Sequence, residues 1–249
     1  MPRSPRPPVG GIVTHVLNRA NARLPLFEHD DDYELFERTL EQAHARTRMR
    51  ILAYCVMPNH WHLVVRPRGD SDLPEFMRWL TVAHTQRWHA AHGTAGTGHI
   101  YQGRYKSFPI QARRIRRAQR EQGVVGAGSS LMTVLRYVER NALRAGLVRR
   151  AEDWRWGSLW RRTSGDAEQR GLLTDPPNGW PTGWVDLVNQ PQTRKEHEAI
   201  ARCIARGRPF GNDRWVRRMV ARLGLESTLR PRGRPKKTKT EAEEAGKGS

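Results

Sequence analysis

The 249 residues carry 44 Lys and Arg against 25 Asp and Glu, a formal charge of +19, and the isoelectric point lies near 11.2. Such an excess goes far beyond what solubility requires and favours a polyanion, nucleic acid first and an anionic membrane surface second. No apolar run is long enough for a bilayer span and no signal peptide or lipidation motif is read, so no membrane partner is expected. Only Cys55 and Cys203 are present, which excludes a disulfide framework or a thiolate zinc site and fits a reducing cytoplasmic setting.

Residues 1–10 are rich in Pro and Arg and read as a disordered basic arm. Residues 11–19, with Val13, Val16 and Leu17, predict a first strand. Asp30, Asp31 and Asp32 supply N-cap chemistry for a helix whose apolar stripe is Leu35, Phe36, Leu40 and Ala43. Residues 50–56 predict a second strand, Met57-Pro58-Asn59 a turn, and residues 60–66 a third strand. Asp72 is placed to cap a second helix with Leu73, Phe76, Met77, Leu80 and Ala83 on one side. A Gly-rich stretch at 93–98 ends it, and residues 99–110 read as a fourth strand. Strand, helix, strand, strand, helix, strand is the order of an α+β, ferredoxin-like (RRM-like) βαββαβ sandwich. Its antiparallel sheet is expected to have one face under the helices and one free.

Residues 111–129 depart from that pattern. Arg113, Arg114, Arg116, Arg117 and Arg120 crowd together before a Gly-rich run, which reads as a basic loop or as a phosphate-contacting insertion. Helical spacing returns with Leu131, Val134, Leu135 and Val138. Tyr137 and Asn141, four apart, share a face beside that stripe, and Gly146 is a plausible stop. Trp154, Trp156 and Trp160 read as packing an extension onto the main domain, with base stacking as the alternative.

The main domain is thus expected over 11–162, followed by a Pro/Gly linker over 163–190. A small helical extension over 191–226 begins at the Thr193/Glu196 capping box and contains a second helix from Asn212 or Asp213. It reads equally as a small DNA-binding unit or as a packing appendage. Residues 227–249 form a basic tail. Within it Arg232-Gly233-Arg234, flanked by Pro231 and Pro235, resembles an AT-hook: the two Arg suit a narrow A·T-rich minor groove, and Lys236 and Lys237 suit phosphates. An ordinary basic tail is the alternative.

The densest chemistry lies in Tyr54-Cys55-Val56-Met57-Pro58-Asn59-His60-Trp61-His62-Leu63-Val64. On a strand, side chains two apart point the same way. His60 and His62 then offer two imidazoles to one metal ion, while Trp61, Leu63 and Val65 bury the other face. One core-capping and one solvated His is the competing reading, because two ligands alone do not make a metal site.

Three stretches together resemble the REP-associated tyrosine transposases of the HUH single-strand transposase and nuclease group. They are the run around His60 and His62, then Tyr101-Gln102-Gly103-Arg104-Tyr105-Lys106-Ser107-Phe108, then Tyr137-Val138-Glu139-Arg140-Asn141-Ala142-Leu143-Arg144-Ala145-Gly146-Leu147-Val148. The similarity runs from about Gly11 to Arg162. It implies a divalent cation, Mg²⁺ or Mn²⁺, held by His60, His62 and the amide oxygen of Asn141, and Tyr137 as nucleophile. It also implies single-stranded DNA beside a hairpin as substrate and a 5′-phosphotyrosine intermediate, in a cytoplasmic, nucleoid-associated monomer or homodimer. Arg104, Lys106, Arg232, Arg234, Lys236 and Lys237 are the candidate DNA contacts. The chain departs from the family in having Ala142 after Asn141, where Pro is usual, and in the basic insertion at 111–129.

Two other functions compete with this enzyme. One is a hairpin-DNA-binding protein of the same descent whose catalysis has decayed; only the enzyme would leave a covalent protein–DNA product. The other is an RNA-binding module on the same fold, disfavoured because the aromatic signature of such domains is missing from the expected strands. A hydrolase acting through a metal-bound water would need a carboxylate base near the metal, and none is placed there by the sequence.

Overall fold

Alternating side chains dictate a sheet with two distinct faces, and the chain builds it from the expected elements. They are β1 (Thr14–Arg19), α1 (Asp30–Thr47), β2 (Arg50–Met57), β3 (His60–Arg66), α2 (Asp72–His92) and β4 (Lys106–Pro109). The computed structural model describes residues 7–112 and 129–230. Most of the basic insertion, and the AT-hook-like block with Arg232, Arg234, Lys236 and Lys237, lie outside the described residues. The four strands are antiparallel neighbours in the order β2-β3-β1-β4, the ferredoxin-like arrangement.

Local chemistry explains the helix starts. Asp32 does not cap from the front; its carboxylate reaches back to accept the Glu28 and His29 backbone N–H groups, at 3.0 and 3.2 Å, so His29 is the N-cap of α1. Asp72 accepts from the N–H groups of Arg68 and Gly69, both at 2.9 Å, and closes the turn into α2 in the same way. Gly93, at φ +62°, takes the left-handed C-cap conformation that ends α2.

One sheet face carries Val16, Tyr54, Val56, Trp61, Leu63 and Val65 against Phe36, Leu40, Phe76 and Leu80 of α1 and α2. Ile100 and Tyr101 enter the same core. Tyr101 accepts the Trp61 indole N–H at 3.0 Å, and its hydroxyl lies 2.8 Å from His84 Nδ1. Tyr101 still bridges to Ala20, but residues 102–105 leave regular pairing, so the fourth strand is shorter than the sequence suggests.

The second face is not free. Val13, Ala53, Cys55, Val64 and Phe108 point toward it, and α3 (Ser130–Glu139) covers them with Leu131, Val134, Leu135 and Val138. A sheet apolar on both faces requires a second layer. Ser129 starts α3 by accepting the Met132 N–H at 3.3 Å. After a turn at Arg140 the chain continues as α4 (Asn141–Arg144) and leaves it at Gly146, φ +73°.

The remaining helices are α5 (Ser158–Thr163), α6 (Ala167–Gly171), α7 (Trp184–Asn189), α8 (Arg194–Arg206) and α9 (Asp213–Leu223). The stretch 163–190, expected as a linker, thus holds α6 and α7. Trp184 is buried and donates its indole N–H to Glu139 at 2.7 Å. The tryptophan cluster packs within the domain: Trp154 donates to the Val56 carbonyl at 2.9 Å, and Trp156 stacks on Tyr33 at 4.9 Å. The helical extension also docks. Phe210 N–H donates to the Pro109 carbonyl and Gln111 N–H to the Phe210 carbonyl, at 2.8 and 2.9 Å, so it continues from β4 as a packed appendage. Val9 is buried and Gly10 donates to Asp70, so the end of the expected basic arm is part of the core. Among the described residues no helix is long and apolar enough to cross a membrane.

Candidate active site

β3 lies between β1 and β2, with His60 opposite Arg19, His62 opposite Leu17 and Val64 opposite His15. Residues paired across a ladder share a face, so His15, Arg19, His60 and His62 all lie on the side covered by α3. The His60 and His62 rings are 5.0 Å apart. His60 Nδ1 is 2.7 Å from Asn59 Oδ1, an acceptor, so His60 carries its proton on Nδ1 and keeps the Nε2 lone pair. His62 Nδ1 lies 2.9 Å from His15 Nε2, which leaves His62 Nε2 unengaged as well.

Burial sets the charge state. His62 is 2% exposed. Its pKa is held well below the usual value by desolvation first, then by His60, His15, Arg144 and Arg19. His60 is lowered to about 4, by burial first and then by Arg19 and Arg144. Both imidazoles are neutral at pH 7, the form that binds metal.

Tyr137 projects from α3 with its ring edge-on to His62, centroids 5.7 Å apart. Burial raises its pKa, and the charges of Arg144 and Arg19 oppose the rise. The Arg144 guanidinium lies over the Tyr137 ring at 5.5 Å. On another side stands His197 of α8, 5.9 Å between ring centroids, whose pKa is lowered by burial and then by Arg144. One turn beyond Tyr137, Asn141 is buried; its Oδ1 accepts from Arg144 Nη2 at 2.7 Å and its Nδ2 has no partner. Arg19 Nε is likewise buried without an acceptor. Arg19, opposite His60 in the ladder, and Asn141, bonded to Arg144, each keep a donor that an anion would satisfy.

Among the described residues no three His, Cys, Asp or Glu side chains are arranged to hold a metal ion. A third protein ligand for a cation at His60 and His62 would be of another type. Asn141 fits by chemistry: an amide oxygen has two lone pairs, of which Arg144 uses one. Two imidazole nitrogens and one amide oxygen suit a divalent first-row cation.

Arg104 and Lys106 are exposed and line a cleft of about 300 Å³ with Leu17, Asn18, Arg19 and Ile204. Lys106 pairs with Leu17, which pairs with His62, so the cleft adjoins the histidines along one row of the sheet. Ile204 comes from α8, as His197 does; the C-terminal extension therefore borders both the cleft and Tyr137. Sequence reasoning gives no role to His15, Arg19, Arg144 or His197. The alternation His15-x-Leu17-x-Arg19 on β1 is the available signal for the first two; the others depend on how α4 and α8 pack.

Residues 9–120 match the family model described as transposase IS200 like. No protein of curated function matches the chain. Among solved structures, the REP-associated tyrosine transposase bound to a REP hairpin is 19% identical with a TM-score of 0.46, covering 78% of this chain and 99% of that one. A protein from Deinococcus radiodurans R1 assigned as a transposase is also 19% identical, with a TM-score of 0.33, covering 49% of this chain and 92% of that one.

Proposed function

We propose, for a chain whose residues 9–120 belong to the IS200-like transposase family, that it cleaves and rejoins single-stranded DNA beside a hairpin through a tyrosyl intermediate, in the cytoplasm at the nucleoid. The observation that carries this reading is the contact of Tyr137 with His62, 5.7 Å between rings, next to a second imidazole; Asn141 follows Tyr137 by four residues. His60, His62 and Asn141 would hold Mg²⁺ or Mn²⁺. When bound, such an ion withdraws charge from the non-bridging oxygens of the scissile phosphate.

Tyr137 Oη attacks phosphorus, and the Oη–P bond forms as the bond from phosphorus to the 3′ oxygen breaks. The phenol proton is released to solvent, and the departing oxygen takes up a proton to become a 3′-hydroxyl. The 5′-phosphate stays on Tyr137, so the bond energy is kept. A second strand's 3′-hydroxyl then attacks that phosphorus, displaces Oη and restores the phenol. Arg19 and Arg144 favour the phenolate that attacks. Arg19 Nε and Asn141 Nδ2, both without partners, are donors for phosphate oxygens. Arg104 and Lys106 guide the backbone along the cleft.

One observation favours the second reading, a hairpin binder without cleavage: the Asn141 oxygen is already engaged by Arg144. A denaturing gel with labelled hairpin DNA and Mn²⁺ decides. Wild type should give a covalent protein–DNA product and Tyr137→Phe none, with hairpin affinity within a few-fold of wild type. Tight hairpin binding with no covalent product from wild type supports the binder, and undiminished product from the Phe variant moves the nucleophile elsewhere.

The basic tail is assigned to A·T-rich duplex, with Arg232 and Arg234 in the minor groove and Lys236 and Lys237 on phosphates. Deleting residues 231–237 should flatten the salt dependence of duplex binding by roughly 0.9 for each phosphate that is no longer neutralised. An unchanged slope on both A·T-rich and G·C-rich duplexes rejects that assignment.

A further inference from the structure

A buried histidine near the start of β1 is an odd choice for a core strand. His15 is 1% exposed; its ring stacks on Phe108 with centroids 4.7 Å apart and planes 26° from parallel. A phenylalanine would fill such a position, and burying an imidazole there costs solvation of two ring nitrogens. What the histidine adds is its Nε2, 2.9 Å from His62 Nδ1. His15 sits opposite Val64 in the ladder, so it reaches His62 diagonally, behind the ring, from inside the sheet.

We infer that His15 is a positioning residue that fixes the tautomer and ring orientation of His62, holding His62 Nε2 toward the metal. The inference rests on the reading of His60 and His62 as metal ligands. A ligating histidine needs one nitrogen bare and the other tied to a partner, which also raises its basicity. His60 has Asn59 Oδ1 in that role at 2.7 Å. For His62 the hydrogen-bonding partner is His15.

The proton count admits one arrangement compatible with metal binding. His62 carries its proton on Nδ1 and donates it to His15 Nε2, and His15 carries its own proton on Nδ1. The reverse arrangement places the His62 proton on Nε2, where it blocks the ligand position. Because both rings are buried, water does not compete for this bond, and the choice is set by the pair alone. Phe108 keeps the His15 ring in plane for it.

The test compares His15→Phe with His15→Gln in the full chain. Phe keeps the stack on Phe108 but offers no acceptor, whereas the Gln amide oxygen reaches about as far as Nε2 and accepts. Nitrogen-15 NMR of the metal-free protein should show His62 protonated on Nδ1 in wild type and in His15→Gln, with that preference lost in His15→Phe. Titration calorimetry with Mn²⁺ should show affinity reduced about 10- to 100-fold in His15→Phe and within a few-fold of wild type in His15→Gln. A His15→Phe protein with an unchanged His62 tautomer and unchanged Mn²⁺ affinity overturns the inference and leaves His15 as core packing. Should that variant fail to fold, a wild-type protein whose His62 carries its proton on Nε2 overturns it by itself. Tautomer and Mn²⁺ affinity changing as expected, in a protein that forms no covalent DNA product, would keep His15 in its role and remove the nuclease reading. Covalent product formed by wild type and His15→Phe alike, with equal Mn²⁺ affinity, would do the reverse.

Discussion

The two faces of β3 take alternate residues of one heptapeptide and put them to opposite uses. Toward α1 and α2 go Trp61, Leu63 and Val65, none with measurable exposure. The polar atoms met there are placed in a chain, Trp61 to Tyr101 to His84. Toward α3 go His60 and His62, with Arg19, Tyr137 and Arg144 around them and two buried donors left without acceptors. The first face is packed as core, and the second is the one proposed to receive a ligand. Unsatisfied donors cost free energy in a buried site; on the second face Arg19 Nε and Asn141 Nδ2 lack acceptors, and an incoming phosphate would satisfy them.

Substitutions on the two faces should therefore separate stability from binding. Trp61→Ala should destabilise the protein by about 3–5 kcal/mol, through the cavity left between Phe36 and Tyr101. Its partner Tyr101 also loses the indole donor. His60→Ala, one residue away, should cost less than about 1 kcal/mol in urea unfolding but remove Mn²⁺ uptake measured by calorimetry. Comparable losses of stability from both would mean that the second face is also core, and that the two-histidine reading fails.

The period-2 pattern at 60–66 is legible because it is local: every strand residue announces its face by parity. The same holds for the stripe of α3, whose Leu131, Val134, Leu135 and Val138 need an apolar surface to cover. That surface is the sheet face expected to be free, and the requirement is present in the sequence. His15 is legible only as to its face, by the alternation of β1, and not as to its contact. Its partner is 47 residues away, and the pairing of β1 with β3 is fixed by register across two intervening elements. The fourth strand is shorter than its sequence pattern because pairing breaks between the Ala20–Tyr101 bridge and Lys106, and nothing local marks that break. Trp184 hides in a Pro- and Gly-rich stretch for the same reason: its anchor, Glu139, is 45 residues earlier. His197 of α8 is out of reach because it meets Tyr137 only after the extension has docked at Phe210.

Acid titration offers a finer comparison, since buried histidines stand on both faces. His84 on the structural face is lowered to about 3 by burial, then by Arg87 and His92; His15 is lowered to about 3 by burial, and His60 to about 4. Each is neutral in the folded protein over a range where the unfolded chain, with an ordinary histidine pKa near 6.5, binds a proton. Unfolding then takes up protons, so stability is highest above pH 6.5 and falls as pH drops from about 6.5 toward 4. Removing one such group by His60→Gln should reduce that slope by at most ~1.4 kcal/mol per pH unit, the value of one proton. Saturating Mn²⁺ should add stability at neutral pH that persists down to about pH 4 and is lost below it, where protons begin to compete for the folded protein's imidazoles. Urea unfolding from about pH 3 to 7, with and without Mn²⁺, measures both. The metal-dependent part should vanish in His60→Gln while the part owed to His84 persists. A metal-dependent slope that survives loss of His60 would place the cation away from the histidine pair and erase the difference drawn between the two faces.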